Sequence, residues 1–292
     1  MEFWHAVSFV PVEQLGKVAR AAEAAGFAGL AIPDHLATPL QLQTRYPYAP
    51  DADIIWDPAA PFPEPWSIAA VLAAVTKRLR FMSYVYVLPL RDPFNAAKAI
   101  STAAVLSGNR IVLGAGIGWM EDEFRAAGFS FKNRGRRMDD MLVVLDKLMS
   151  GAPVEHRSEF YDFPLLQMAP APTQRVPVWI GGHSDVALRR AARHDGWIGV
   201  NYEEVELFPI LERLARIRRE AGAAARPYSI TLALNAPPNV DVCRRLEERG
   251  VTGIVVPTWL ARGEEPSSAA HKVATLRRFG DDVISRIHRS PD

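Results

Sequence analysis

The chain has 292 residues and an almost balanced charge, with 34 Lys and Arg against 33 Asp and Glu. Without a net field, binding to nucleic acid or an anionic membrane is not indicated, and no stretch resembles a membrane span or an export signal. The 49% of hydrophobic residues and the single cysteine exclude disorder and a disulfide scaffold, and they indicate a cytoplasmic protein.

Strands and helices alternate from the N-terminus. The strand EFWHAVSFV precedes an amphipathic helix, and AGLAIPDHLA reads as the second strand. Prolines and aromatic residues make 36–63 a long loop, after which a second helix begins near Pro65. RFMSYVYVL is the third strand, and the third helix has Asp92 as N-cap, Pro93 at its first position and Gly108 at its end.

The alternation continues to the C-terminus. RIVLGAG is the fourth strand, RRMDDMLVVLDKLMSG the fourth helix, and HRSEFYDFPLLQMAPAP a hairpin inserted before the fifth strand, VPVWIGG. The remaining elements are helix 185–194, strand GWIGV, helix 203–221, strand YSITLALN, helix 240–249, strand TGIVVP and a closing helix at 267–287. Eight alternations predict one (β/α)8 TIM-barrel domain over residues 1–292, with loop insertions after strands 2 and 4.

Chemistry in such barrels lies at the C-terminal ends of the strands. The second strand ends on Asp34 and His35, a carboxylate beside an imidazole, which can bind the N–H groups of a ring and exchange protons near neutral pH. In the structural alternative, Asp34 caps a turn and His35 is a polar rim residue. His5, within the first strand, is expected in the core.

The fourth strand ends in a series of alternate glycines, Gly114, Gly116 and Gly118. Their spacing does not match the dinucleotide-binding fingerprint. Glycines at these positions either let a ligand approach the backbone closely or serve tight turns without any ligand.

The fifth strand ends in Gly181 and Gly182 and leads through His183 and Ser184 into a helix. N–H groups at a glycine turn and a helix start suit phosphate, although Ser184 could serve only as a cap.

Other chemistries are disfavoured by what the strand ends lack. None of the six lysines lies at one, which disfavours a Schiff base, and no metal-ligand spacing is visible, so no metal is expected. Arg134, Arg136 and Arg137 are predicted to form a salt-bridged surface at the fourth helix.

The segments IPDHLA, RLRFMSYVYVLPLRDP, LSGNRIVLGAGIGWMEDEFRAAG, NRGRRMDD and PVWIGGHSDVALRRAARHDGW together resemble the bacterial luciferase-like oxidoreductases over roughly residues 1–200. The Asp-His pair is similar to the branch that uses the deazaflavin coenzyme F420. The resemblance implies that Asp34 contacts the deazaflavin ring and that His35 is the proton donor or orienting base, so that both are catalytic. It also implies a homodimer.

The same resemblance implies a cofactor contact surface that includes a non-proline cis peptide bond between Tyr84 and Val85. Its residues are Asp34, Ser83, Tyr84, Val85, Gly116, Ile117, Gly118, Gly181, Gly182 and His183. The aromatic residues of the loops suggest a small apolar substrate, and the candidates for its wall are Tyr46, Tyr48, Trp56, Phe62, Trp66 and Trp119.

Three functions stay open at this stage. The first is an F420-dependent oxidoreductase that transfers a hydride to or from a small organic substrate. The second is a monooxygenase that uses reduced FMN and O2. The third is a flavin-binding protein without catalysis, because the bulky Met82 and Tyr84 stand where relatives often have glycine.

Overall fold

The computed structural model describes residues 1–47, 54, 56–259 and 268–289. The strands are β1 (Glu2–Ala6), β2 (Gly29–Ile32), β3 (Arg80–Ser83), β4 (Tyr86–Val87), β5 (Ile111–Gly116), β6 (Val154–Arg157), β7 (Asp162–Leu166), β8 (Val178–Gly181), β9 (Gly196–Tyr202), β10 (Ser229–Leu234) and β11 (Gly253–Val256). Strands β6 and β7 form the predicted antiparallel hairpin, outside the main sheet.

The main sheet closes into a parallel barrel. Its order is β3-β2-β1-β11-β10-β9-β8-β5-β4, and β3 also pairs with β5. Since β3 and β4 both pair with β5, these nine segments occupy eight positions around the barrel. The predicted (β/α)8 architecture is therefore confirmed. The ends of β2, β3 with β4, β5 and β8 are neighbours on one side of the mouth.

Helices follow the barrel strands. They are α1 (Leu15–Ala24), α2 (Pro65–Ala74), α3 (Pro93–Ser107), α4 (Glu121–Ala126), α5 (Arg134–Met149), α6 (Asp185–Ala191), α7 (Glu204–Glu220), α8 (Val240–Glu248), α9 (Ala269–Phe279) and α10 (Ser285–His288), with a π-helical turn (Gly280–Ile284) between the last two. The predicted cap of α3 is confirmed, because the Asp92 side chain accepts from the Asn95 N–H and Gly108 ends the helix with φ +67°.

Two local predictions were wrong. The third strand is not continuous, since Tyr84 and Val85 interrupt it, and the region between β5 and α5 contains the helix α4 where a loop was expected. Among the described residues, no helix has both the length and the apolar character needed to cross a bilayer.

Two apolar layers hold the fold together. Alternate strand side chains point into the barrel and include Trp4, Met82 and Trp179, whereas the larger core lies between the strands and the helices. His5 is fully buried in that outer layer, as expected. Burial lowers the pKa of His5 to about 3, so this imidazole is neutral.

Candidate functional site

Asp34 is held in a buried ion pair at the end of β2. Arg91 Nη2 donates to Asp34 Oδ1 at 2.7 Å, and the Val87 N–H donates to Asp34 Oδ2 at 2.8 Å. The side chain of Asp34 is only 2% exposed, and this burial raises its pKa although Arg91 opposes the shift. Because both carboxylate oxygens are engaged, the geometry favours a supporting role. The predicted contact between Asp34 and a cofactor ring stays a prediction.

His35 binds a different carboxylate. Its Nδ1 lies 3.0 Å from Oε2 of Glu123, which belongs to α4 and is 2% exposed. Oε1 of Glu123 accepts from the Leu36 N–H at 2.5 Å and from the Ala37 N–H at 3.4 Å. Within the described part of the chain, Nε2 of His35 has no hydrogen-bond partner. This nitrogen is therefore the one available to a ligand.

The neighbouring carboxylate on α4 holds the next part of the same loop. Oδ2 of Asp122 accepts from the Gln43 N–H, the Thr44 N–H and the Thr44 hydroxyl at 3.0, 2.8 and 2.7 Å. Burial alone would raise the pKa of Asp122, but the hydrogen bonds from Thr44 and Gln43 and the charge of Arg125 bring it below its ordinary value. Helix α4 thus fixes the segment that follows β2.

Aromatic rings surround His35. The imidazole centroid lies 5.1 Å from that of Trp56, 5.2 Å from that of Phe62 and 6.1 Å from that of Trp119. Tyr46 packs edge-on against Trp56 and Trp119, and Phe9 packs against Trp56 and Phe62. We call this set the aromatic group; it consists of Phe9, Tyr46, Trp56, Phe62 and Trp119.

Two other predicted site residues lie elsewhere. Trp66 is 2% exposed in the core between α2 and the barrel, where it packs against Tyr86, and its place in the substrate wall stays a prediction. Ser83 is 1% exposed and donates to the Gly114 carbonyl at 2.9 Å, and its contact with a cofactor also stays a prediction. Tyr48 lies outside the described residues.

The interruption of the third strand forms a bulge at the mouth. The Tyr84–Val85 peptide bond is cis, as the family resemblance implies. The Tyr84 hydroxyl donates to the Gly199 carbonyl at 3.1 Å, across the barrel. The Val85 side chain stands between two glycines, since a Cβ at Gly116 would lie 2.5 Å from Val85 Cγ2 and one at Gly181 would lie 3.1 Å from Val85 Cγ1. These glycines have a structural reason to lack side chains.

The remaining glycines of the two strand ends have left-handed backbones. Gly118 has φ +75°, and a Cβ there would lie 2.5 Å from Val87 Cγ1. Gly182 has φ +106°, and its carbonyl accepts from the Trp197 indole N–H at 2.7 Å. Ser184 caps α6 by accepting from the Ala187 N–H, which supports the capping alternative for this residue.

The three arginines at the start of α5 do not share one role. Arg136 pairs with Glu159, as expected of a salt-bridged surface. Arg134 instead donates to the Gly118 carbonyl at 3.1 Å, and Arg137 donates to the Pro89 carbonyl at 3.0 Å. The predicted salt-bridged surface was therefore wrong for Arg134 and Arg137, which fasten α5 to the loops of the mouth.

The model of one protein family, described as luciferase-like monooxygenase, matches residues 5–242. The chain belongs to this family. An uncharacterized protein of Mycobacterium tuberculosis is 39% identical over 274 residues, which are 92% of this chain and 94% of that protein. The predicted resemblance to luciferase-like oxidoreductases is confirmed.

More distant members of the luciferase-like family differ in cofactor. An F420-dependent glucose-6-phosphate dehydrogenase of Amycolatopsis mediterranei is 28% identical over 55% of this chain and 50% of that protein. An FMNH2-dependent dimethylsulfone monooxygenase of Pseudomonas putida is 29% identical over 58% of this chain and 47% of that protein. Both F420 and FMN thus occur among relatives of this chain.

Solved structures share the fold. The monooxygenase RslO1 of Streptomyces bottropensis superposes with a TM-score of 0.76 at 17% identity, over 98% of this chain and 99% of that chain. The coenzyme F420-dependent tetrahydromethanopterin reductase of Methanopyrus kandleri gives a TM-score of 0.74 at 15% identity, also over 98% and 99%. At these identities the likeness establishes the barrel architecture and nothing finer.

Sequence reasoning missed Arg91, Asp122 and Glu123, which fix the segment that follows β2. The run Glu121–Glu123 carried a usable signal, because acidic residues favour the first turn of a helix. Their contacts lie 57 to 88 residues away along the chain, and no local pattern encodes such distances.

Proposed function

We propose that this protein is an F420-dependent oxidoreductase that transfers a hydride to or from a small apolar organic substrate. One observation carries the proposal: no residue that the structure describes makes a hydrogen bond to His35 Nε2, which lies inside the aromatic group, at the end of a barrel strand. An imidazole in that position can move one proton while a hydride moves between the substrate and a cofactor. Coenzyme F420, when bound, supplies the hydride chemistry.

We propose that the mouth of the barrel receives the planar ring of the cofactor. Gly116 and Gly181 carry no side chains, and the Val85 side chain packs against both of them at the ends of β5 and β8. This leaves an apolar platform beside main-chain groups that a flat polycyclic molecule can contact. We assign the ring to Tyr84, Val85 and these two glycines. The other proposed cofactor contacts are Ile117, Gly118, Gly182 and His183, the last two at the turn that we propose faces the phosphate.

The aromatic group defines the proposed substrate surface. Tyr46, Trp56 and Trp119 present ring faces and edges near His35, whose side chain is itself only 11% exposed. Such a wall favours an apolar molecule with one polar group that reaches Nε2. In an oxidation, the substrate hydroxyl would lose its proton to Nε2 as the hydride leaves the adjacent carbon. In a reduction, both transfers run in reverse.

A monooxygenase that uses reduced FMN is the second candidate, and the identity with the Pseudomonas putida enzyme favours it. The observation that motivated a non-catalytic flavin-binding protein weakens in the structure. Met82 lies fully buried inside the barrel, and the Tyr84 hydroxyl donates to the Gly199 carbonyl, so both side chains are engaged by the barrel itself.

Equilibrium binding of F420 and of FMN to the purified protein tests the proposal. We expect F420 to bind and to give an absorbance band near ~420 nm, whereas bound flavin absorbs near ~450 nm. His35→Gln should retain F420 binding and lose turnover of F420-reducing or F420H2-oxidising substrates. Tight FMN binding without measurable affinity for F420 would overturn the proposed cofactor.

We also propose that the protein is a homodimer that pairs through α2 and α3. Helix α2 contains no charged residue, and Val71 and Leu106 are 61% and 65% exposed on these two adjacent helices. A surface of this kind is typical of a face covered by a second copy. In sedimentation velocity, the double variant Val71→Lys with Leu106→Lys should be monomeric. Val205→Lys, at a 75% exposed position on α7, should remain dimeric. A monomeric wild-type protein would refute the pairing.

A further inference from the structure

Glu123 occupies a position from which it can set the protonation pattern of His35. Its two carboxylate oxygens face different donors: Oε2 faces His35 Nδ1 at 3.0 Å, and Oε1 accepts from the backbone N–H groups of Leu36 and Ala37. An ionised carboxylate can only accept hydrogen bonds. The neutral imidazole must therefore carry its proton on Nδ1.

We infer that Glu123 is a positioning residue that holds neutral His35 as the Nδ1–H tautomer, so that Nε2 presents a lone pair to the substrate. The histidine is then ready to accept a proton, and it can return that proton from the same atom in the reverse reaction. Only the use of that proton rests on the proposed function. The tautomer itself follows from the contacts of Glu123.

The backbone contacts of Glu123 make the inference sharply testable. In a Glu123→Gln variant, the two N–H groups of Leu36 and Ala37 still require an acceptor, which places the amide oxygen toward them. The amide nitrogen must then face His35 Nδ1 and donate to it. An imidazole that accepts at Nδ1 carries its proton on Nε2. A substitution that preserves size and both anchoring hydrogen bonds thus inverts the tautomer.

Asp122 offers a matched control on the same helix turn. Its carboxylate anchors Gln43 and Thr44 but makes no hydrogen bond to His35. An Asp122→Asn variant changes the same chemical group by the same amount and disturbs the same loop. A general loosening of the loop would affect both variants, whereas control of the tautomer belongs to Glu123.

The experiment is long-range 1H–15N correlation NMR of the cofactor-free protein labelled with 15N-histidine, at pH 9, where an ordinary imidazole is neutral. The protein has seven histidines, and the signals missing from a His35→Gln spectrum identify His35. We expect the Nδ1–H pattern in the wild type and in Asp122→Asn, and the Nε2–H pattern in Glu123→Gln. An Nε2–H wild type, or an unchanged Glu123→Gln spectrum, would overturn the inference.

Kinetics gives a second readout once a substrate is known. Glu123→Gln should lower kcat by about 100-fold or more, because His35 Nε2 can no longer accept the proton. The F420 dissociation constant should stay unchanged, because the substitution does not alter cofactor binding. Failure of the proposed function and failure of the positioning role give different results. If F420 does not bind but the tautomer inverts in Glu123→Gln, the proposed function fails and the positioning role stands. If F420 binds and the tautomer does not invert, the positioning role fails and the proposed function stands.

Discussion

Replacing Asp34 by alanine should destabilise the protein strongly. The substitution leaves the Val87 N–H without its acceptor and the Arg91 guanidinium, 10% exposed, without its anion. An orphaned buried donor costs about 1–3 kcal/mol, and breaking one side of a buried ion pair costs about 3–5 kcal/mol in total. For a chain of this size, that loss corresponds to a drop in Tm of about 10 °C.

Thermal unfolding followed by circular dichroism measures the effect of Asp34→Ala. Asp162→Ala is the matched control, because Asp162 pairs with Arg157 at 3.8 Å in an exposed setting, with side chains 66% and 90% exposed. An exposed pair contributes no more than about 1 kcal/mol, so Tm should move by at most a few degrees. If Asp34→Ala has the same Tm as the control variant but no longer binds F420, Asp34 contacts the cofactor and the supporting role is refuted.

Three further predictions concern packing and titration. Gly114→Ala places a Cβ 2.0 Å from the Ser83 carbonyl oxygen. Because such severe overpacking destabilises the fold, the variant should fail to express in soluble form or should lower Tm by more than about 10 °C. Gly16→Ala is the control, since its nearest neighbour lies at 3.9 Å and Tm should stay unchanged or rise slightly. Because the folded pKa of Asp122 lies below its unfolded value, its stabilisation is present at neutral pH and is lost as pH falls below about 4; Asp122→Asn should lose less Tm than the wild type between pH 6 and pH 3.5. Burial raises the pKa of Cys243 to about 12, so a thiol reagent at pH 8 should modify it only after unfolding, and rapid labelling of the native protein would contradict its burial.

Local signals predicted the barrel well because strands and helices alternate and several of the helices have their own start and stop chemistry. The N-cap Asp92 and the terminal Gly108 of α3 are such signals, and the structure places both as the sequence indicates. Helix α4 escaped prediction because it has only six residues, follows the glycines of β5, and has Met120 as an N-cap without a side-chain hydrogen bond.

The candidate site was harder to predict because two neighbouring residues after β2 meet different partners. Asp34 and His35 are neighbours in sequence and looked like one functional pair. In the structure, Asp34 turns to Arg91 and His35 turns to Glu123. Which partner each side chain meets depends on tertiary packing, so the sequence could not show which contacts the two residues make.

Asp122 and Glu123 of α4 hold the loop after β2 mainly through main-chain amides, those of Leu36, Ala37, Gln43 and Thr44. An amide offers the same hydrogen whatever side chain it carries, proline excepted. Positions 36, 37 and 43 can therefore be randomised in a library without releasing the loop. At these positions the anchoring leaves the side chains free to vary, which makes the rim a natural place to seek altered substrate preference.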